Sequence, residues 1–232
     1  MSRPPDAPVR MMLEPDAGDL LAASGIPYVD HGVAASADEA GAVAARIGYP
    51  VVLKVVSADI VHKTEVGGVM TGLLDDAAVR DGFAALMSTV HRRLPSARIV
   101  GALVCRHVKV SRELIIGATY DATFGPTVMV GLGGVDAEVL ADVAFRLAPL
   151  HRDDGLDMLH ELRGFQLLAG HRGEPAVHLE AVADVIVKVG DLILARREIA
   201  EIDLNPVAVS ANECVALDAR IIMREDYGDA RT

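Results

Sequence analysis

Apolar and polar positions divide the chain into short blocks. Residues 16–24 read as a short helix that ends at Gly25, and Ile26-Pro27-Tyr28-Val29 as a strand. Ser36 followed three positions later by Glu39 is a capping box, which opens a helix to about Ile47 with Gly48 as its stop and Pro50 shortly beyond. Val51 to Val56 is apolar apart from Lys54, a pattern that predicts a strand buried on both faces. A helix from about Asp76 to Leu94 ends before Pro95, and Ile99 to Val104 is a further strand.

The second half changes pattern. Glu113 to Thr119 and Thr127 to Gly131 are strands around the turn Asp121-Ala122-Thr123-Phe124-Gly125-Pro126, so the pair predicts an antiparallel hairpin. Helices follow near 152–163 and 177–195, with Arg172-Gly173-Glu174-Pro175 as a helix-initiating loop. A last pair of strands, about 201–209 and 214–222, encloses the polar turn Ser210-Ala211-Asn212-Glu213. The expected architecture is two α+β lobes joined near Cys105 to Val110, with a nucleotide-sized cleft between them. The divisions are an N-terminal extension over 1–20, one lobe over 21–104, a second over 105–225 and a tail over 226–232.

Composition narrows the function. At 51% apolar and 24% charged residues the chain is globular, and with four Phe, four Tyr and no Trp its core must be aliphatic. Base stacking on aromatic platforms is therefore not expected. The 33 acidic against 22 basic residues give a formal charge of −11, which repels nucleic acid and anionic membranes. Cations such as Lys54, Lys63 and Arg146 would then serve a confined anion. Cys105 and Cys214 form no C-x-x-C pair and read as buried thiols in a reducing compartment. Neither a signal-type apolar core in residues 1–15 nor a run of ~20 apolar residues is present, so a cytoplasmic location is expected.

Candidate chemistry concentrates in two places. Lys54, on a Val-rich strand, stands eight residues before His62, which is followed by Gly67 and Gly68. A lysine holds nucleotide phosphates, an imidazole carries a phosphoryl group, and glycines let backbone amides approach an anion closely. The plainer alternatives are a lysine snorkelling from an edge strand and an ordinary loop histidine. No Walker A loop occurs, so a phosphate grip has to be built another way.

The second place is the terminal hairpin. Alternation puts Glu201, Asp203 and Asn205 on one strand face and the intervening Ile202 and Leu204 on the other. A two-residue turn at Ala211-Asn212 sets Asn205 opposite Asp218, with Cβ atoms ~5 Å apart. An amide and a carboxylate so placed suit a magnesium ion that also takes phosphate and water oxygens, whereas the alternative is a solvated acidic face. The segment Met129-Val130-Gly131-Leu132-Gly133-Gly134-Val135-Asp136-Ala137-Glu138 follows a strand without completing a dinucleotide fingerprint. It is either a strand-to-helix turn or a backbone that passes near a substrate phosphate.

Taken in order, Y-P-V-V-L-K-V-V-S, D-I-x-H-K-T-x-V-G-G-V, E-L-I-I-G-x-x-x-D-x-x-F-G-P, G-L-G-G, F-R-L-A-P-L, R-G-E-P, E-I-D-L-N-P and A-L-D-A-R resemble the ATP-grasp (β) subunit of ADP-forming acyl-CoA synthetases, relatives of succinyl-CoA synthetase. The resemblance covers roughly residues 20–222. It implies an ATP-grasp fold, ATP/ADP and Mg²⁺ as cofactors, and the reaction acyl-CoA + ADP + phosphate ⇌ acid + CoA + ATP through phosphohistidine transfer.

By the same resemblance, Lys54 contacts the nucleotide phosphates, Glu113 the ribose, and Val104, Cys105 and Val108 the adenine at a hinge whose residues depart from the family's usual run. Gly67 and Gly68 flank the phosphates. Asn205 and Asp218 match magnesium ligands, Asp203 steadies a phosphohistidine, and His62 is a second phosphorylation site. The chain has no room for a CoA-binding domain or the primary phosphohistidine. A CoA-binding α subunit in a hetero-oligomer is therefore implied, and the chain alone would bind nucleotide without completing turnover. Two other readings are an ATP-grasp carboxylate–amine ligase and a non-catalytic nucleotide-sensing regulatory subunit.

Overall fold

The computed structural model describes residues 8–121, 123–134, 142–170 and 175–225. Strand β1 (Val9–Met11) and helix α1 (Glu14–Ala23) open the chain. The chain then divides into two compact units. Described residues 13–16 and 29–109 form the first, and 8–12, 17–28 and the described residues from 110 onward form the second.

The first unit contains β2 (His31–Ala34), α2 (Ala37–Ile47), β3 (Val51–Val56), β4 (Val69–Leu73), α3 (Asp76–Arg93) and β5 (Gly101–Arg106). Its antiparallel sheet has the order β2-β5-β3-β4, so β3 is an inner strand. Ser36 caps α2 by accepting from the Glu39 amide, the Glu39 carboxylate reaches back to the Ala35 amide, and Gly48 closes the helix at φ 96°. Asp75 caps α3 by accepting from the Ala78 amide. Val51, Leu53, Ala102 and Val104 pack with Ala40, Ala44, Val79, Phe83 and Leu86 of the helices. Alternation along β3 therefore turns Lys54 to the opposite face of the sheet.

The second unit contains β6 (Arg112–Asp121), β7 (Gly125–Leu132), β8 (Val143–Leu147), α4 (Arg152–Glu161), a 3₁₀ turn at Phe165–Leu167, α5 (Leu179–Ala195), β9 (Ile199–Val209), β10 (Cys214–Ala216) and β11 (Ala219–Arg224). These strands and β1 build an antiparallel sheet in the order β1-β11-β9-β6-β7-β8, with β10 also paired to β9. Leu114, Ile116, Val128, Val130, Ile202, Leu204 and Ile221 form the core with α4 and α5, through residues such as Met158, Leu159, Ile186 and Ile193. Glu201, Asp203 and Asn205 alternate with these buried positions on β9.

Three expectations change. Residues 26–29 make only a bridge between Tyr28 and Ala216, and the strand comes later, at His31–Ala34. The Ile26 amide is spent on the Leu21 carbonyl at 2.9 Å, a helix-terminating bond made possible by Gly25 at φ 73°. The division at 20/21 and 104/105 also moves. Residues 17–28 bury Leu21 and Ile26 in the second core, β1 pairs with β11, and the boundary falls between Lys109 and Val110. Finally, β1, β2, β4 and β8 are additional strands. The Arg172-Gly173-Glu174-Pro175 loop up to Glu174, the Val135-to-Glu138 part of the glycine segment, the first seven residues and the 226–232 tail lie outside the described residues.

Candidate active site

Lys54 does not snorkel from an edge. It lies on the inner strand β3 at 8% exposure, and its Nζ donates to Glu14 Oε1 at 2.7 Å. Lys63, from the loop after β3, places its own Nζ 2.9 Å from Glu14 Oε2. Glu14 is the first residue of α1, where a helix N-terminus favours a carboxylate. Its side chain is only 4% exposed. Burial by itself would raise its pKa, but the attraction of Lys54 and then Lys63 overrules that effect and holds it at about 2. Sequence reasoning missed Glu14 because it stands forty residues before Lys54. The available signal was an acid at a helix start beside a proline.

The connection from β3 to β4 carries His62. Its start is pinned by Asp59, which accepts from the Arg98 backbone amide at 2.8 Å and from Nε and Nη2 at 3.0 and 2.7 Å. Those Arg98 hydrogen bonds, side chain before backbone, pull the Asp59 pKa down to about 2. Ile60 is buried with Val55 and Val90, whereas Val61 and His62 are exposed. The loop then closes on itself. Gly68 N–H donates to Lys63 O at 2.7 Å, Gly67 N–H to Thr64 O at 3.1 Å, and Arg93 Nη1 to Glu65 O at 2.9 Å.

This corrects the expected use of the glycine pair. Both amides are committed inside the loop, so they are not presented to an anion. Gly67 instead supplies φ 67°, and Gly68 a close approach: a Cβ there would stand 2.6 Å from Val55 Cγ1 and 2.9 Å from Lys63 O.

At the hinge, Val104 belongs to the helix-facing core, and its strand is paired to Gly32 on one side and Leu53 on the other. Cys105 pairs with Val52 across the ladder and so shares the Lys54 face, where it is buried. Val108 is buried as well.

In the second unit the hairpin register follows the expected turn. Val209 pairs with Cys214, Leu204 with Ala219 and Asp203 with Arg220, and Ser210 N–H bonds Glu213 O at 2.8 Å. Asn205 N–H accordingly meets Asp218 O at 3.3 Å. One Asp218 oxygen accepts from the Ala219 amide at 2.8 Å. An amide oxygen and a carboxylate from opposed strands suit a hard cation, but two such ligands leave most of an octahedron open. Among the described residues no cluster of three or more His, Cys, Asp or Glu could hold a metal. Two oxygen donors of this kind are what a magnesium ion takes from protein when its other positions are filled by phosphate and water.

Arg220, directly across from Asp203, was not expected at the site. Its Nη2 is 2.8 Å from Glu201 Oε1 and 3.9 Å from Asp203 Oδ2. Burial raises the pKa of Asp203 and the Glu201 charge adds to that, outweighing Arg220. The signal for Arg220 was its place in A-L-D-A-R, two residues beyond Asp218 and so at the same strand parity.

Glu113 lies near the start of β6, half-buried, and its carbonyl accepts from Gly133 N–H at 2.8 Å. A Cβ on Gly133 would come within 2.9 Å of the Glu113 Cβ, so the glycine segment packs on this residue. Arg146, expected to serve a confined anion, is instead engaged by both oxygens of Glu161. The two cysteines are buried, and burial pushes the Cys214 thiol up to about 12, which leaves it unreactive.

The chain matches the ATP-grasp domain family over residues 6–223. It is 42% identical to the acetate–CoA ligase [ADP-forming] I subunit beta of Pyrococcus furiosus, over 92% of each chain. It is equally identical, over 89% of its own length, to acetate–CoA ligase [ADP-forming] I of Archaeoglobus fulgidus, of which the match spans 30%. The dinucleotide-forming acetyl-coenzyme A synthetase 1 of Ca. Korarchaeum cryptofilum, in complex with coenzyme A and Ca-AMPCP, superposes with a TM-score of 0.90 at 41% identity, covering 93% of this chain and 94% of that one. Its complex with Mg-AMPPCP, described with the phosphohistidine segment pointing towards the nucleotide binding site, superposes at 0.82 with 39% identity over 93% of both chains. Lys54, His62, Asp203, Asn205 and Asp218 thus stand within a likeness that runs nearly end to end, and the chain belongs to the ATP-grasp family, alongside the β subunits of ADP-forming acetate–CoA ligases.

Proposed function

We propose that this chain is the nucleotide-binding subunit of an ADP-forming acyl-CoA synthetase, which interconverts acyl-CoA, ADP and phosphate with a carboxylic acid, CoA and ATP. The observation that carries the reading is the 42% identity over 92% of both this chain and a β subunit of that enzyme class. A relative three times as long, matched over 30% of its length, supports a partner chain that brings CoA binding and the primary phosphohistidine.

In this reading Lys54 binds the nucleotide phosphates, Glu113 the ribose, and the hinge at Val104, Cys105 and Val108 the base. Magnesium, held by Asn205 and Asp218 with phosphate oxygens, would offset the charge that gathers on those phosphates. His62 receives the phosphoryl group and passes it on: a terminal ADP oxygen attacks phosphorus, the N–P bond breaks, and the imidazole keeps the electron pair and takes up a proton. Asp203 steadies the imidazolium side of this exchange, and Lys54 offsets the charge accumulating on the diphosphate. Exposure of His62 on a loop with pinned ends supports its accessibility to a donor.

A second reading is favoured by the relative whose phosphohistidine segment points towards the nucleotide site. In this second reading a donor histidine from the partner reaches ADP directly, and His62 forms no covalent bond. The experiment is ATP synthesis from acyl-CoA, ADP and phosphate by chain plus partner, with ³²P mapping on histidines. The relay predicts that His62→Ala abolishes transfer and leaves ADP binding intact. Undiminished turnover in that variant establishes the direct route instead.

A further inference from the structure

We propose that Glu14 is a positioning residue that acts as a charge latch: one buried carboxylate holds the ammonium groups of Lys54 and Lys63 together and keeps the His62 segment closed until nucleotide phosphates compete with it for the lysines and loosen its hold on Lys63. The proposal rests on the nucleotide-binding reading given above and assigns a role to a residue which that reading does not use.

Glu14 Oε1 lies 2.7 Å from Lys54 Nζ, and Oε2 lies 2.9 Å from Lys63 Nζ. The two lysines differ in what they can do when released. Lys54 sits on an inner strand and has nowhere to go, whereas Lys63 belongs to a loop and its side chain is 16% exposed. Lys63 follows His62 directly, and its carbonyl is the acceptor that Gly68 N–H uses to close the loop. Holding the Lys63 ammonium therefore holds both the backbone closure and the residue beside the imidazole.

A diphosphate carries more negative charge than Glu14 and competes for both lysines. Without the carboxylate, two like charges are left close together, and Lys63 is the one able to retreat into water. Asp59 and Ile60 lie ahead of His62 and do not depend on Glu14, so release is confined to the part of the loop that carries the imidazole.

The test is hydrogen exchange at the Gly67 and Gly68 amides in the chain assembled with its partner, with and without Mg-ADP. In the unaltered protein Mg-ADP should speed exchange about tenfold, as expected for a local opening. Glu14→Gln should exchange at that faster rate without nucleotide and gain nothing further from Mg-ADP. Lys63→Met, which leaves the Lys54–Glu14 pair in place, should behave in the same way and keeps the test available if Glu14→Gln does not fold. Nucleotide-free exchange at the unaltered rate in Lys63→Met, or Mg-ADP binding that leaves exchange in the unaltered protein unchanged, overturns the latch alone. Failure of the assembled protein to bind Mg-ADP overturns the nucleotide-binding reading beneath it.

Discussion

Replacing Glu14 by glutamine keeps its size and removes its charge, which makes the variant a direct measure of what the carboxylate contributes to stability. The folded state lowers the pKa of Glu14 from an ordinary 4.5 to about 2, with burial opposing and Lys54 and Lys63 prevailing. A carboxylate whose folded pKa is depressed contributes its full stability above the unfolded value and loses it as pH falls through the folded one. The shift corresponds to a few kcal/mol at pH 7, of which roughly half is gone by pH 3. Urea unfolding followed by far-ultraviolet circular dichroism, run on the unaltered chain and on Glu14→Gln at pH 7, 5, 4 and 3, reads the difference directly. The gap should be flat from pH 7 to 5 and then narrow steadily. A gap of the same size at pH 7 and pH 3 would show that glutamine disturbs packing rather than charge, and the electrostatic account of the Glu14 cluster would fail.

The sign reverses for Asp203, whose folded pKa is raised by burial and by Glu201 against Arg220. Its ionisation costs stability, and the cost sets in as pH rises through the unfolded value and is complete above the folded one. Asp203→Asn should therefore unfold at higher urea than the unaltered chain at pH 7, lose that advantage below pH 4, and show no phosphoryl transfer in the assembled enzyme. Gly68→Ala places a methyl group against Val55 and the Lys63 carbonyl, and should cost about 1–3 kcal/mol in the same unfolding assay, with Ser in place of Ala no better. Asp218→Asn should move the magnesium titration of ADP binding to higher concentration while leaving metal-free ADP binding unchanged, as isothermal titration would record.

Local patterns were the most legible part of this chain. The β3 strand falls at Val51–Val56, where an apolar run is bounded by Pro50 and Ser57, and α3 at Asp76–Arg93, where Asp75 caps one end and Pro95 follows the other. The hairpin register was readable because a short polar turn between two patterned strands leaves one pairing that buries the right residues, and it brought Asn205 to Asp218. Contacts between distant segments were not readable. Nothing local in Glu14 announces Lys54, and the cluster exists only because the start of α1 is grouped with β3 and its following loop. The glycine pair shows a different limit. Its spacing is the same whether its amides face an anion or close a loop, and only the carbonyls of Lys63 and Thr64 decide. Strands β2 and β4 escaped notice because each depends on a neighbour already in place rather than on its own alternation.

The staple of Asp59 to Arg98, with Ile60 sunk beside Val55 and Val90, has a geometric consequence for any relay through His62. Two peptide links separate the imidazole's Cα from that fixed point, and a fully extended dipeptide spans about 7 Å. The histidine thus works on a short leash, whatever happens at Lys63. A relay through His62 would therefore need its phosphoryl donor brought inside that small radius.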